Sequence, residues 1–425
     1  MKKITAFLLA VLMLLSFSAC GADETAAASA ADNAPAAVSS ESGFVPALDT
    51  GTEAMLYFVG SWGNFEALDQ VAVDFQVYYP NVQIVYTKLD DYGSDLANRF
   101  ATGEEVDLFT SSWWDGEYQQ NQNIADHAED LNTAGLDLSV INPDMLSGGE
   151  VNGKQVLIPL YLQAFGYMVN LDIFKAAGVA VPTNYRELLD ACEKLSAAGY
   201  EHPIYVNSSF YGRSFSGFYM KQLLAGDDAA AALDTTIARI DELYSSGYVT
   251  DEGDTLEDSY NAMILRFFEG DVPLQSISTS NFSGTKKREA KSEAFTAAPF
   301  EYAFIPAPYG DDSDYAYINQ LGSLYVGVYK DSPNRDLANE FLRFLLTDEE
   351  MYRMQSIKNM PTAFLSNGMD TFPYLKSADV FYAAEPGISA LLEEYGLNTL
   401  SRYTSSGSHD EMIDLMRSYM ENGLN

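Results

Sequence analysis

The sequence predicts an α/β protein built on a mostly parallel sheet, and three observations predict it. From Met55 to Thr110 the apolar residues switch twice between an alternating rhythm and a helical one, giving a βαβαβ pattern. Strands separated by helices pair in parallel through right-handed crossovers. The third strand then breaks abruptly, in Asp107-Leu108-Phe109-Thr110-Ser111-Ser112-Trp113-Trp114-Asp115-Gly116-Glu117-Tyr118, into hydroxyls, two adjacent tryptophans and a carboxylate. The carboxyl end of a buried parallel strand reads this way where it opens into a ligand crevice. Finally, 425 residues with 47% hydrophobic content suffice for two domains with cores of their own.

The chain begins with Lys2-Lys3 and the apolar run Ile4–Phe17, the order of a secretory signal and too short for a confident membrane span. The run ends in Phe17-Ser18-Ala19-Cys20-Gly21, which resembles the lipobox of bacterial lipoproteins, with Phe17 where leucine is usual. The expectation is a signal peptide over residues 1–19 and a lipidated Cys20. A flexible tether then runs to residue 50, since its Ala, Ser, Asp, Glu and Pro can bury little. Only Cys192 remains besides, so neither a disulfide framework nor a cysteine-based metal site is possible. It shares a helix face with Tyr185, Leu188, Leu189 and Leu195 and is expected to be a small buried hydrophobe.

In the folded body, Met55–Gly60 is strand-like. Phe65, Leu68, Ala72, Phe75 and Tyr79 recur at helical spacing until Pro80-Asn81 stops the helix. Val82, Ile84 and Tyr86 mark the second strand. Ser94 is placed to cap a short helix carrying Leu96 and Phe100 and ended by Gly103. Val106–Thr110 is the third strand. Because strands one and three run the same way, Ser61-Trp62-Gly63 and Ser111–Asp115 should face one crevice. Further on, Asn152-Gly153 turns into a strand ending at Ile158-Pro159, and Asn184 with Glu187 three residues later predicts a capping box opening a helix to about Ala198. Tyr205–Asn207 reads as a strand end, with Ser208–Arg213 as its loop.

The run Val151–Leu188 resembles the family 1 extracellular solute-binding proteins of bacterial ABC importers, the group that includes maltose-binding protein. The matching residues are Gly153-Lys154, Ile158-Pro159, Val169-Asn170, Asp172-Ile173-Phe174 and Pro182–Leu188. Two later blocks, Phe267–Gln275 and Asn334–Thr347, fit the same family, so the resemblance covers about Met55–Ala363. It implies a two-lobe periplasmic-binding-protein-like fold of type II, with a mixed, mostly parallel sheet and flanking helices in each lobe and a ligand cleft between the lobes. Lobe one is expected over 51–162 and 282–347, and lobe two over 163–281 and 348–425. Hinge closure would bury the ligand, and the membrane permease would recognise the closed form.

Positions matching the family's contacts give the expected ligand wall. They are Ser61, Trp62, Ser112, Trp113, Trp114 and Asp115 on lobe one and Gln163 at the first crossing. On lobe two they are Asn207, Tyr211, Arg213, Ser280, Asn281, Phe282 and Tyr403. Aromatic faces cover the C–H side of a sugar ring while Asp, Asn, Gln and Ser share its hydroxyls. The expectation is therefore a sugar or short oligosaccharide, carried by a monomer anchored outside the cytoplasmic membrane and serving a permease.

A formal net charge of −37 disfavours nucleic acid and anionic lipid headgroups. The three histidines are scattered, and no His-Glu-x-x-His, Walker or Gly-x-Ser-x-Gly motif is present, so no metal, cofactor or enzyme activity is expected. Two other classes compete. A polyamine or cation binder would use Asp115 beside Trp113-Trp114. A lipid-anchored glycoside hydrolase would use two carboxylates across the crevice.

Overall fold

The computed structural model describes residues 43–61, 67–111, 124–251, 259–311, 315–318, 324–382 and 414. The βαβαβ start is as the pattern predicts. Strand β1 (Ala54–Gly60) pairs in parallel with β2 (Val82–Lys88) and with β3 (Leu108–Ser111). One face of this sheet buries Leu56 and Phe58 with Val71 and Phe75 of the helix Leu68–Tyr78 and Phe341 of the helix Arg335–Leu345. The other buries Val59 and Phe109 with Leu96 and Phe100 of the helix Tyr92–Thr102. A strand covered on both faces has no polar side to show, hence its continuous apolar run. The 92–102 helix stops at Gly103, whose φ of 71° is the left-handed turn expected there. Ser94 is not its cap. The helix starts two residues earlier, and the Ser94 hydroxyl donates to Asp91 Oδ2 at 2.9 Å.

Strands β4 (Glu150–Val151) and β5 (Lys154–Gln155) make a hairpin through Asn152 and Gly153, both at positive φ (53° and 78°), the backbone that an Asn-Gly turn favours. Strand β6 (Ile158–Pro159) leads through Leu160–Ala164 into β7 (Phe165–Asn170). The helix Tyr185–Ala197 opens as expected, with Asn184 Oδ1 accepting from the Glu187 amide at 3.0 Å. The Glu187 carboxylate reaches back one residue further than a standard box, to the Thr183 amide (2.9 Å) and hydroxyl (3.0 Å). The Thr183 backbone bond, then its hydroxyl, hold that carboxyl below its usual range. Cys192 is fully buried on this helix, and burial pushes its thiol up to about 12.

After β8 (Ile204–Tyr205) the expected loop Ser208–Arg213 is instead the start of the helix Ser208–Leu224. This helix lies against β7, the strand Leu274–Ser278 and the helix Ala229–Ser245, with Phe215, Phe218, Tyr219, Met220, Ser214 and Ser216 all buried. A helix surrounded by protein lacks the polar stripe by which helices are read from sequence. Strands β9 (Val249–Thr250), β10 (Leu274–Ser278) and β11 (Tyr302–Pro306) complete a second sheet, in the order β11-β7-β10-β8-β9. Strands β12 (Tyr315–Ile318) and β14 (Asp379–Tyr382) pair in parallel, and β13 (Tyr325–Val328) returns to the first sheet, in the order β2-β1-β3-β13-β6.

Both sheets are mixed. The first is parallel at β2-β1-β3 and antiparallel on either side of β13, and the second is parallel at β10-β8-β9 and antiparallel on either side of β7. Two stretches stand elsewhere than the sequence placed them. Tyr302–Pro306, expected with lobe one in the block 282–347, is bonded to β7 in the second sheet. The helix Asp348–Lys358, expected with lobe two, packs on the helices 335–345 and 68–78 of the first, with Arg353 Nε 3.0 Å from Asp74 Oδ2. Local periodicity reveals an element but not which sheet it covers, since that depends on contacts far away in sequence.

Candidate ligand-binding site

Parallel pairing of β1 with β3 brings their carboxyl ends together, as the strand order required. Phe58 stands opposite Leu108 and Val59 opposite Phe109, so Gly60 falls beside Thr110. A Cβ on Gly60 would lie 2.5 Å from Thr110 Oγ1 and 2.6 Å from the Tyr86 hydroxyl, so glycine is what permits this approach. Ser61 follows, exposed. Ser111 pairs with Tyr325 of β13, which pairs with Pro159 of β6. Four strand ends therefore share one edge, and the chain leaves it for the second sheet through Leu160–Ala164.

That crossing is held on both sides. Leu162 N–H donates to Pro361 O (2.8 Å), Leu160 O accepts from Ala363 N–H (3.1 Å), and Leu160 N–H donates to Leu324 O (2.8 Å). Tyr161 bridges to Thr362 and Ala164 to Ile318. At the far end lie the carboxyl ends of β10 and β8. Ser278 pairs with Phe165, and the Asn207 amide, just past β8, donates to Ser276 Oγ at 2.9 Å. The short helix Thr279–Phe282 follows β10, capped by Ser278 Oγ accepting from Asn281 N–H at 3.3 Å.

Of the residues expected at the site, Gln163, Asn207, Ser280 and Asn281 gather at this second edge and crossing, and Ser61 at the first edge. Phe282 is also there in sequence, but its ring is buried against Tyr302, Phe304 and Phe372, with centroids 5.7, 6.1 and 5.8 Å away. Those partners account for its burial. Tyr211 and Arg213 ride on the first turns of the 208–224 helix, and their side chains are outside the described residues. Trp62, Ser112, Trp113, Trp114, Asp115, Tyr403 and Cys20 also lie outside them.

Buried polar atoms mark the edges. Thr110 Oγ1, Ser111 Oγ, Gln163 Oε1 and Ser280 Oγ have no hydrogen-bond partner among the described residues. A buried polar group left unpaired costs about 1–3 kcal/mol, so several at the end of β3, on the crossing and just past β10 call for an explanation. They suit a molecule that offers donors and acceptors of its own. Sequence reasoning missed Thr110 and Thr279. The signal was available, because Thr110 near the end of β3 and Thr279 just past β10 are hydroxyls at the carboxyl ends of strands. Among the described residues no three His, Cys, Asp or Glu side chains gather to hold a metal ion.

The fold is similar to that of apo RafE from Streptococcus pneumoniae, at 16% identity over 87% of this chain and 98% of that one, with a TM-score of 0.64. RafE in complex with raffinose gives 17% identity, 87% and 99% coverage and a TM-score of 0.62. The cyclic alpha-maltosyl-1,6-maltose binding protein from Arthrobacter globiformis gives 19%, 88%, 100% and 0.59. At such identities the likeness is one of fold, that of two-lobe periplasmic solute-binding proteins. The sequence itself is matched over residues 60–352 by the family described as bacterial extracellular solute-binding protein. With more than half of its length matched, the chain belongs to that family.

Proposed function

We propose that this protein captures a sugar or short oligosaccharide outside the cell, by closing two lobes upon it, and delivers it to an ABC importer. The observation that carries the proposal is the set of unpaired buried polar atoms of Thr110 and Ser111 at the end of β3, Gln163 on the crossing and Ser280 just past β10. A sugar presents hydroxyls that both donate and accept, and each match discriminates because a missing partner leaves a buried group unsatisfied. The structural neighbours that bind raffinose and a cyclic maltosyl-maltose support the same ligand class. In this reading lobe one carries the first sheet with the 335–345 and 348–358 helices, and lobe two the second sheet. The lobes hinge at Leu160–Ala164 and the segments bonded to it, and Trp62, Trp113, Trp114 and Asp115 supply the flat wall. Lipid on Cys20 would anchor the protein to the outer face of the cytoplasmic membrane.

Tryptophan fluorescence, titrated with raffinose, maltotriose and cyclic glucans and in parallel with amino acids and polyamines, tests the ligand class. A saturable change with at least one sugar is expected. A response to polyamines or amino acids and to no sugar would overturn it.

A further inference from the structure

Thr279 is completely buried at the junction of β10 and the short helix Thr279–Phe282, and its hydroxyl and amide are spent on one target. Its hydroxyl donates to Leu162 O at 2.9 Å and accepts from Ala164 N–H at 3.1 Å, and its own amide donates to Ala164 O at 2.9 Å. The residues so held are the two neighbours of Gln163. We propose that Thr279 is a positioning residue for ligand binding, clamping the crossing on both sides of Gln163 so that the Gln163 carboxamide is fixed before ligand arrives.

Three features carry this. First, the clamp is specific in position: it bridges 115 and 117 residues of sequence to reach Ala164 and Leu162, and no other described side chain bonds to these two residues. Second, Gln163 is 7% exposed and its Oε1 has no partner among the described residues, so the side chain is confined without being satisfied. A long, flexible side chain fixed in advance loses less freedom on binding, and this raises affinity without adding a contact. Third, the clamp joins the crossing to the end of β10 while Leu162 N–H is also held by Pro361 O at 2.8 Å, so the backbone on both sides of Gln163 is fixed. The hydroxyl is used as donor and acceptor at once, which only threonine or serine can reproduce at this position.

The inference rests on the proposal that the cleft binds sugar, and a double-mutant cycle separates the two. The tightest-binding sugar of the panel is titrated against the intact chain, Thr279→Val, Gln163→Ala and the double variant. If Thr279 acts through Gln163, each single change weakens binding about tenfold and the double variant is no weaker than the worse single one. Thr279→Ser, which keeps both hydroxyl bonds, stays within about threefold of the intact chain. Multiplying penalties, or a Thr279→Val protein that binds as the intact chain does, would overturn the positioning role while leaving sugar binding in place. Failure of the intact chain to bind any sugar would overturn both.

Amide hydrogen exchange at Ala164 gives a readout that needs no ligand. It should be protected in the intact chain and in Thr279→Ser and faster in Thr279→Val, and equal protection in all three would sink the clamp. If Thr279→Val fails to fold, Thr279→Ser and Thr279→Ala make the same comparison.

Discussion

The two strand-end edges that meet at the crossing differ in how far they satisfy themselves. At the second sheet Ser276 accepts from the Asn207 amide, Ser278 caps the following helix, and Thr279 binds the crossing. At the first sheet Thr110 and Ser111 end a fully buried strand with hydroxyls that have no partner among the described residues. The second edge is knitted by these bonds, although Ser280 Oγ, Gln163 Oε1 and both side-chain amide atoms of Gln275 also lack a partner among the described residues. On the first, open edge neither strand-end hydroxyl has one. Under the proposed function, the first edge together with Gln163 and Ser280 meets the ligand, and the bonds of the second edge keep the geometry ready for it.

The largest effect is expected where the open edge is tightest. Alanine at Gly60 would place a methyl 2.5 Å from Thr110 Oγ1 and 2.6 Å from the Tyr86 hydroxyl, and both neighbours are held in strands. Overpacking of this kind costs about 1–3 kcal/mol. Urea unfolding of Gly60→Ala should show a loss near the top of that range, partly restored by adding Tyr86→Phe. An unchanged midpoint would mean that the two strand ends are not packed as closely as described. On the knitted edge Ser276→Ala would leave the buried Asn207 amide without its acceptor, at about 1–3 kcal/mol. If Ser276→Ala is neutral, that bond does not knit the second edge and the contrast between the edges fails.

Unpaired buried atoms are not by themselves a mark of a ligand site, and a region far from both edges shows why. Between the helices 68–78 and 348–358, Asp74 Oδ2, Glu350 Oε2 and Arg353 Nε also lack hydrogen bonds, yet they are charged groups 3.0–3.5 Å apart that satisfy one another electrostatically. One guanidinium serves three carboxylates, since Arg353 also meets Glu349 at 3.0 Å. Burial therefore outweighs Arg353 at Glu350, and Asp74 and Glu349 add to it, pushing the carboxyl up to about 7. The folded protein holds this proton more tightly than the unfolded chain, whose carboxyl titrates near 4.5. The resulting stability is full below that value and is lost as pH climbs through about 7. Glu350→Gln should thus stabilise at pH 8 by about 3 kcal/mol and change little at pH 4.5. Chemical denaturation at the two pH values measures it, and an equal effect at both would exclude the carboxyl as its source.

The contrast between the edges was only partly legible in the sequence. The parallel β1-β2-β3 unit and its shared carboxyl edge follow from local rhythm plus the crossover rule, and the structure bears them out. The Asn184 cap and the burial of Cys192 were equally local and equally readable. The helix 208–224 was not, because packing on several sides erased its polar stripe, and its first residues passed for a loop. The placement of β11 in the second sheet was hidden for a different reason, since its partner β7 lies more than a hundred residues earlier. Among the proposed ligand contacts, Asn207 was read from its position at a strand end and Gln163 from the family resemblance at the first crossing. Phe282 carried the same positional signal, but an aromatic cluster from Tyr302, Phe304 and Phe372 claims it for the core, and those residues were too distant to be weighed together.

The smallest expected effect on folding is also the sharpest test of the open edge. Thr110→Val replaces a hydroxyl by a methyl of nearly the same size in a fully buried strand, and keeps the β-branching that suits the pleat. In most buried positions this change removes a hydrogen bond and destabilises. Here Oγ1 has no partner among the described residues, so valine removes an uncompensated group and leaves Asp107, Ser111 and their backbone pairing intact. The unliganded protein should gain about 1 kcal/mol while sugar affinity falls about tenfold. Opposite signs in the two measurements are what a group kept for ligand, at a cost to the fold, requires. If stability falls instead, Thr110 has a structural partner and the first edge is not open at that residue. If stability rises and affinity is untouched, the edge is open but the ligand does not meet it at Thr110, and the contact shifts to Ser111, one residue further along the same strand.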